Sequence, residues 1–183
     1  MFKRLYGREK SDPLVDAIYG QIVAAARQPT LYADWDVPDT PLGRYEMIAL
    51  HLFLFLHRVR GQQGQIASLA QELTDRLFED LDHSIRELGV GDAGVPKRMK
   101  KLARMFYGRA TAYGEALDKR DRPALVEALR RNVRPDVAEW PQVGPLADYV
   151  EAAYQALQRQ GIAGFLAGTI EFPQPETAVA QAS

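Results

Sequence analysis

The sequence predicts an all-α protein, a single-domain helical bundle of about six to seven helices. Apolar residues recur every three or four positions along most of the chain, which is the spacing of one helix face. Prolines and glycines separate these stretches, and no run of alternating apolar and polar residues is long enough to predict a sheet. The chain has 183 residues, 46% hydrophobic and 26% charged, which fits one globular domain with its own core.

The first two helices are predicted from the residues at which they begin. The Ser-Asp-Pro sequence at 11–13 supplies a capping side chain and an early proline, and Pro29 is expected to end the helix that follows. An irregular stretch is expected over 31–39. Thr40 caps a second helix that runs to about Arg60. Its apolar residues cover nearly all of its sides, which predicts that this helix lies at the centre of the bundle.

Four further helices are predicted, and the first of them is the clearest because one continuous apolar stripe runs along it. The predicted spans are 66–88, 96–117, 121–133 with Asp121 as its cap, and 146–159. A loop with three glycines separates the first two of these spans.

The chain is expected to divide into three parts. They are a basic N-terminal arm over 1–10, a helical domain over 11–172, and a small, polar tail over 173–183 that is expected to be disordered. The arm lacks the apolar segment of a secretory signal. The longest apolar run, over 47–56, is too short to cross the ~30 Å hydrocarbon core of a bilayer as a helix. We therefore expect a cytoplasmic protein.

Several classes of chemistry find no support in the sequence. There is no cysteine, which excludes disulfides, thiolate metal sites and cysteine nucleophiles. The sequence contains no G-x-S-x-G, no P-loop, no G-x-G-x-x-G and no H-E-x-x-H. We therefore expect a protein that is not an enzyme and that carries no cofactor.

Carboxylates and a histidine on the 66–88 helix form the candidate metal site. Glu79 and His83 are four residues apart and share a helix face. The full ligand set would be Glu46, Glu72, Asp75, Glu79 and His83. A di-iron bundle needs two inward-facing Glu-x-x-His pairs, so a solvated acidic face is the favoured interpretation. His51 lies among apolar residues and is expected to be a hydrogen-bonded core histidine.

Charge is segregated between two consecutive helices although the net charge of the chain is only −1. The stretch 72–87 has six acids and two arginines, whereas the stretch 96–109 has six bases and no acid. If the helices pack antiparallel, some opposite charges are expected to pair across the seam between them. The basic stretch is either a solvated face or a patch for an anionic partner such as phospholipid head groups, ribosomal RNA or an acidic protein. Its bases are Lys97, Arg98, Lys100, Lys101, Arg104 and Arg109.

The loop between these helices has two open interpretations. Gly89 and Gly91 permit positive φ or a close backbone approach, and Arg86, Glu87 and Asp92 flank them. These side chains either cap and hold the loop or contact a partner. The structural interpretation is favoured, because glycine and aspartate have ordinary roles in turns.

Several segments, taken in order, give the chain its resemblance to a known family. They are the W-D-V-P-D-T of 35–40, the G-R-Y-E-M of 43–47 followed by Leu50 and His51, the R-E-L-G-V-G-D of 86–92, the V-P-K-R-M-K of 95–100, the F-Y-G-R of 106–109 and the R-N-V of 131–133. Together they resemble the ubiquinol–cytochrome c chaperone family, in its short bacterial branch. The resemblance covers about 10–135 and extends less clearly to about 170.

The resemblance implies a non-enzymatic assembly factor for the cytochrome bc1 complex. Mitochondrial members bind newly made cytochrome b and associate with the mitoribosome. For this chain it implies cytochrome b or another bc1 subunit as a partner, with a ribosome, an anionic membrane surface at the inner membrane and a second assembly factor as further partners to test. DNA is not expected as a partner.

The residues expected to contact a partner or to position a contact loop combine the resemblance with the charge pattern. They are Arg44, Tyr45, Glu46, Arg86, Glu87, Gly89, Gly91, Asp92, Lys97, Arg98, Lys100, Lys101, Arg104 and Arg109. Two alternatives stay open. One is a peripheral membrane or RNA-binding protein that uses the basic helix at 97–109, and the other is the carboxylate and histidine metal protein.

Overall fold

A computed structural model describes residues 12–89 and 91–176, and the fold over these residues is all-α, which confirms the predicted fold class. The helices are α1 (Pro13–Ala26), α2 (Pro29–Ala33), α3 (Pro41–Arg58), α4 (Gln65–Glu87), α5 (Val95–Lys119), α6 (Arg122–Val133), α7 (Val143–Arg159) and α8 (Ile162–Leu166). The six longer helices correspond to the six predicted ones. The arm over 1–10 and most of the tail over 173–183 lie outside the described residues.

Three helices, α1, α3 and α6, begin at the predicted caps Asp12, Thr40 and Asp121. The side chain of Asp12 accepts a hydrogen bond from the backbone N–H of Leu14 at the start of α1. Asp121 does the same for α6, where it accepts from Ala124. Each cap satisfies one of the backbone donors that the first turn of a helix leaves without a partner, and each is followed by a proline at the first or second helical position.

The prediction for the chain after α1 was wrong in one respect. Pro29 does not end the first helix, which stops at Ala26, and instead opens the five-residue helix α2 within a stretch expected to be irregular. Proline fits the first position of a helix because its φ is already helical and its missing N–H has no partner there. The chain after Ala33 is irregular as expected, and Trp35 is buried in it.

The central position of α3 is confirmed. Every residue from Ala49 to Phe55 is buried, and α3 contacts α1, α4, α5, α6 and α7. The ring of Phe55 meets that of Phe165 from α8 edge to face, with their centroids 5.4 Å apart. No helix of the described ranges is long and apolar enough to span a membrane.

The chain after α8 packs back onto the bundle. The amide side chains of Gln21 and Gln160 hydrogen-bond the backbone of 168–171. Phe172 packs against the core, and Pro175 is buried. The chain therefore packs against the bundle as far as Pro175.

Candidate functional site

The exposed surface of α5 carries a line of cations that we call the basic face: Lys97, Lys100, Lys101 and Arg104. Their spacing of three and four residues places them on one side of the helix. All four are exposed, and none forms an ion pair with another residue of the described chain. The opposite side of α5 packs against α3, α4 and α6, so the basic face is the side that the bundle leaves free.

Tyr107 lies on the same side of α5. It follows Arg104 by three residues and Lys100 by seven, and it is 57% exposed. Its neighbour Phe106 points the other way, is buried, and meets Phe78 of α4 edge to face. Tyr107 therefore places an exposed aromatic ring beside the cations, although it was not among the predicted site residues.

Two of the six bases lie outside the line of the basic face. Arg98 is exposed and neighbours Lys101, but it lies at the edge of the face, about 100° around the helix from Lys97 and about 120° from Arg104. Arg109 points into the protein and pairs with Glu46 of α3. The basic face therefore ends at Arg104 and does not extend over the whole of 97–109.

Glu46 and Arg109 form a nearly buried ion pair between α3 and α5. The Nη2 atom of Arg109 lies 2.7 Å from Oε1 of Glu46, and their side chains are 11% and 3% exposed. Burial raises the pKa of the Glu46 carboxyl, and the Arg109 guanidinium opposes that rise. These two residues, predicted to make surface contacts, are instead interior residues that join two helices. An interior cation and carboxylate stabilise each other only as a pair.

Other polar side chains surround this ion pair. Tyr45 is buried and its hydroxyl donates a hydrogen bond to the carbonyl of Leu102 on α5. Tyr113 of α5 is buried and interacts with the side chain of Asn132 on α6. Burial raises the pKa of Tyr113, which keeps its phenol protonated. We call Tyr45, Glu46, Arg109, Tyr113 and Asn132 the polar junction. It joins α3, α5 and α6.

The polar junction brings together three of the segments on which the family resemblance rests. The segment 43–47 supplies its α3 residues, 106–109 supplies Arg109, and 131–133 supplies Asn132. Tyr113 was not among the residues predicted to form the site. The spacing of Arg109, three residues after the core residue Phe106, was the signal that it faces inward.

The start of α3 is fixed by a close backbone contact. A Cβ atom at Gly43 would lie 1.9 Å from the carbonyl oxygen of Pro38, so only glycine fits this position. The Oγ of Thr40 accepts a hydrogen bond from the Gly43 N–H, as its predicted capping role requires. Arg44, the next residue, is exposed and pairs with Asp39 at 2.6 Å. Of the three predicted residues at 44–46, only Arg44 is therefore on the surface.

The loop after α4 is held from within by Arg86. Its guanidinium bonds Asp82 one turn back, at 2.6 Å, and also Asp92 in the loop. Gly89 has a φ of +78°, a conformation that favours glycine. Glu87 pairs with His83, and both are exposed. This geometry supports the structural interpretation of the loop.

The end of the loop region also exposes an apolar side chain. Leu88, at the C-terminus of α4, is 65% exposed. A Cβ at Gly91 would meet no atom within 4 Å, so this glycine has open space around it.

The predicted charge pairing between α4 and α5 does not occur among the described residues. The acids of α4 that form ion pairs bond to cations of α4 itself, as Asp80 does with Arg76, which also reaches Asp16 on α1. Ion pairs therefore neutralise none of the positive charges of the basic face, and they neutralise only some of the negative charges of α4.

The candidate metal ligands are not brought together. Glu46 is inside the bundle with Arg109, whereas the α4 candidates lie on the exposed side of that helix. No group of three or more histidine and carboxylate side chains suited to a metal is found in the part of the chain that the structure describes.

His51 is the hydrogen-bonded core histidine that the sequence predicted. Its Nδ1–H donates to the carbonyl of Met47 at 2.7 Å, and its Nε2 accepts from the hydroxyl of Tyr149 at 2.7 Å. Burial lowers the pKa of His51 to about 4, which keeps the ring neutral at physiological pH. Both ring nitrogens are occupied by this network, so His51 is a structural residue.

Comparison with known proteins identifies the family. The chain matches the family described as "Ubiquinol-cytochrome C chaperone" over residues 33–172. It is also similar to a solved structure, described as the crystal structure of the Cbp3 homolog from Brucella abortus. The identity is 53%, the TM-score is 0.84, and the match covers 89% of this chain and 90% of that one. A search of curated proteins finds no match. The family match spans the basic face and the whole polar junction, and the chain belongs to the ubiquinol–cytochrome c chaperone family.

Proposed function

We propose that this protein is a non-enzymatic assembly chaperone for the cytochrome bc1 complex, and that it binds cytochrome b or an assembly intermediate that contains it. The observation that carries the proposal is the family match over 33–172, which includes every helix from α3 to α8. The similarity to the Cbp3 homolog, at 53% identity over nearly the whole of both chains, supports it.

The geometry supports different roles for the interior and the surface residues of the candidate site. The polar junction fixes α5 relative to α3 and α6, because a buried ion pair tolerates little movement of either partner. The basic face lies on the exposed side of the same helix. We propose that the exposed candidates make the contacts, and that Tyr45, Glu46 and Arg109 position them.

The exposed candidates lie in two groups. Lys97, Lys100, Lys101 and Arg104 form the basic face, and Arg98 lies beside it. Arg86, Glu87, Gly89, Gly91 and Asp92 shape the loop that precedes α5. Arg44 is exposed at the start of α3 but shares its charge with Asp39. A binding role suits the first group best, because its charges have no partner within the described chain.

We further propose that the protein acts in the cytoplasm of a bacterium, next to the inner membrane. Cytochrome b is a membrane protein, so its assembly intermediates are reached from the membrane surface. A ribosome and a second assembly factor are further partners of this proposal, and co-purification under mild detergent tests for both.

A deletion strain tests the proposed function. We expect loss of the protein to lower the amount of assembled bc1 complex on native gels and to lower the cytochrome b haem absorbance of the membranes. Return of the wild-type gene on a plasmid is the control and restores both. Unchanged bc1 content and unchanged haem spectra in the deletion strain would contradict the proposal.

A further inference from the structure

Two buried apolar residues near the end of the α4–α5 hairpin lie outside the main core. Ile85 of α4 and Val95 of α5 are buried, yet neither belongs to the main core of the bundle. The pairing of Arg86 with Asp82 and Asp92 holds the intervening loop. This end of the hairpin is therefore held by the ion pairs of Arg86, and it carries the start of the basic face.

The two sides of the hairpin bear opposite charge. The side formed by α4 exposes Glu72, Asp75 and Glu79, while the α5 side exposes the basic face. No ion pair joins α4 to α5 over the described residues. A broad anionic surface can therefore approach the α5 side only, because the α4 side repels it. The hairpin has a preferred orientation toward such a surface.

The composition of the face favours a membrane over RNA. Three of its four cations are lysines, which act as flexible point charges, whereas arginine dominates where phosphates are bound through paired hydrogen bonds. Tyr107 is the single exposed aromatic ring over the residues that the structure describes, so it offers little of the repeated base stacking that single-stranded RNA-binding surfaces use. A tyrosine beside lysines is typical of the membrane interface, where the ring sits at the level of the head groups.

We propose that the basic face of α5, together with Tyr107, docks on the head groups of an anionic phospholipid bilayer. The lysines and Arg104 lie along the surface, and the Tyr107 ring enters the interface. Leu88, 65% exposed at the hairpin end that carries Lys97, adds a second apolar contact. The membrane contact goes beyond the proposed chaperone function, since it needs neither cytochrome b nor the bc1 complex.

Vesicle co-sedimentation of the purified full chain tests this proposal. We expect binding to phosphatidylcholine vesicles that contain phosphatidylglycerol, no binding to pure phosphatidylcholine, and loss of binding as salt rises. The triple variant Lys97→Glu, Lys100→Glu, Lys101→Glu should weaken binding by on the order of a hundredfold or more, because each basic residue near an anionic surface contributes strongly.

A matched variant controls for net charge. Arg27, Arg60 and Arg159 are exposed and lie outside α5, so their joint replacement by glutamate changes the net charge by the same amount. We expect this variant to bind the anionic vesicles nearly as well as the wild type. Circular dichroism of both variants checks that the fold is kept. Equal losses in the two variants would contradict docking through the basic face.

A tryptophan in place of Tyr107 reports whether this position enters the bilayer interface. The two native tryptophans, Trp35 and Trp140, are buried, so a Tyr107→Trp variant adds one exposed indole. We expect its emission to shift to the blue on addition of anionic vesicles, while the wild-type emission stays constant. Binding without a shift in the variant would contradict insertion of this residue.

RNA is the competing ligand in the same experiment. Binding to RNA that depends on Lys97, Lys100 and Lys101, with no binding to anionic vesicles, would overturn the membrane proposal in favour of a nucleic-acid surface. These outcomes leave the chaperone function untouched, because that function is tested separately by the bc1 content of a deletion strain.

Discussion

Helix α5 contains two kinds of cation. Its basic face holds Lys97, Lys100, Lys101 and Arg104, which are exposed and without ion-pair partners in the described chain. Arg109 is a little more than one turn beyond Arg104, yet it is nearly buried and bonded to Glu46 at 2.7 Å. All of them belong to one acid-free stretch of sequence. The difference lies in what faces them, since only Arg109 turns toward a helix that offers a carboxylate.

This contrast assigns different tasks to the two regions. The polar junction contributes to the folding free energy and to the position of α5, because its charges are costly unless paired. The basic face contributes little to folding, because water screens its charges, and it remains available to an anionic partner. Variants in the two regions should therefore separate stability from binding.

The largest expected effect is loss of the junction carboxylate. Glu46→Ala leaves the Arg109 guanidinium nearly buried without its partner, and we expect a loss of about 3–5 kcal/mol in the free energy of unfolding. Urea denaturation measures it. The double variant Glu46→Leu, Arg109→Met is the control and should recover most of the loss, since it removes both charges. A cost below about 1 kcal/mol for Glu46→Ala would show that the pair is not buried in solution.

A second prediction concerns the buried His51, whose contribution to the free energy of unfolding depends on pH. Its pKa is about 4 in the folded protein and about 6.5 when unfolded, so the unfolded chain binds more protons between these values. The His51 contribution to stability is thus complete above pH 6.5 and is lost as the pH falls toward 4, by on the order of 3 kcal/mol.

Comparison with His51→Phe isolates this contribution. The variant should lose less stability than the wild type over the same pH range, whatever its stability at neutral pH. Glu46, whose pKa burial raises, has the opposite dependence, but it is present in both proteins and cancels from the difference. Parallel stability profiles for the two proteins would contradict a buried neutral His51.

Two glycines allow the interior and the exposed surface to be compared by the same substitution. Gly43→Ala places a Cβ 1.9 Å from the Pro38 carbonyl, which forces the start of α3 to move, and we expect a loss of about 1–3 kcal/mol. Gly108→Ala meets no atom within 4 Å on the exposed side of α5, and we expect a gain of about 0.5–1 kcal/mol from helix propensity. Thermal or urea unfolding of both variants checks the difference in sign.

The smallest expected effect on stability is at the basic face. Lys97→Gln, Lys100→Gln, Lys101→Gln should change the free energy of unfolding by less than about 0.5 kcal/mol, because exposed side chains without partners contribute little to folding. The same variant should still lose vesicle binding. A loss of stability comparable to that of Glu46→Ala would remove the distinction between the two regions.

The sequence predicted the helices well because their periodicity and caps are local signals. Asp12, Thr40 and Asp121 all cap as expected. It did not predict α2, since the proline that ends one helix can equally begin the next. The packing of Phe172 on the core also escaped it, because that contact joins residues distant in the chain.

The candidate site was predicted in part. The charge count located the basic face, but it placed Arg109 there as well, since a count of charges does not say which way a side chain points. Glu46 and Tyr45 were identified through the family resemblance, and their burial reflects the packing of α3 against α5. Tyr107 was missed because a count of charges takes no account of an aromatic residue that lies among the cations.

The most direct test of the account measures bc1 complex content in a deletion strain that carries Lys97→Glu, Lys100→Glu, Lys101→Glu. Immunoblots confirm that the variant protein accumulates as the wild type does, and the Arg27, Arg60 and Arg159 charge-matched variant serves as the control. We predict that the control restores the complex and the cytochrome b haem absorbance, whereas the basic-face variant leaves both at the level of the deletion. Full restoration by the basic-face variant would contradict the claim that this face of α5 serves bc1 assembly.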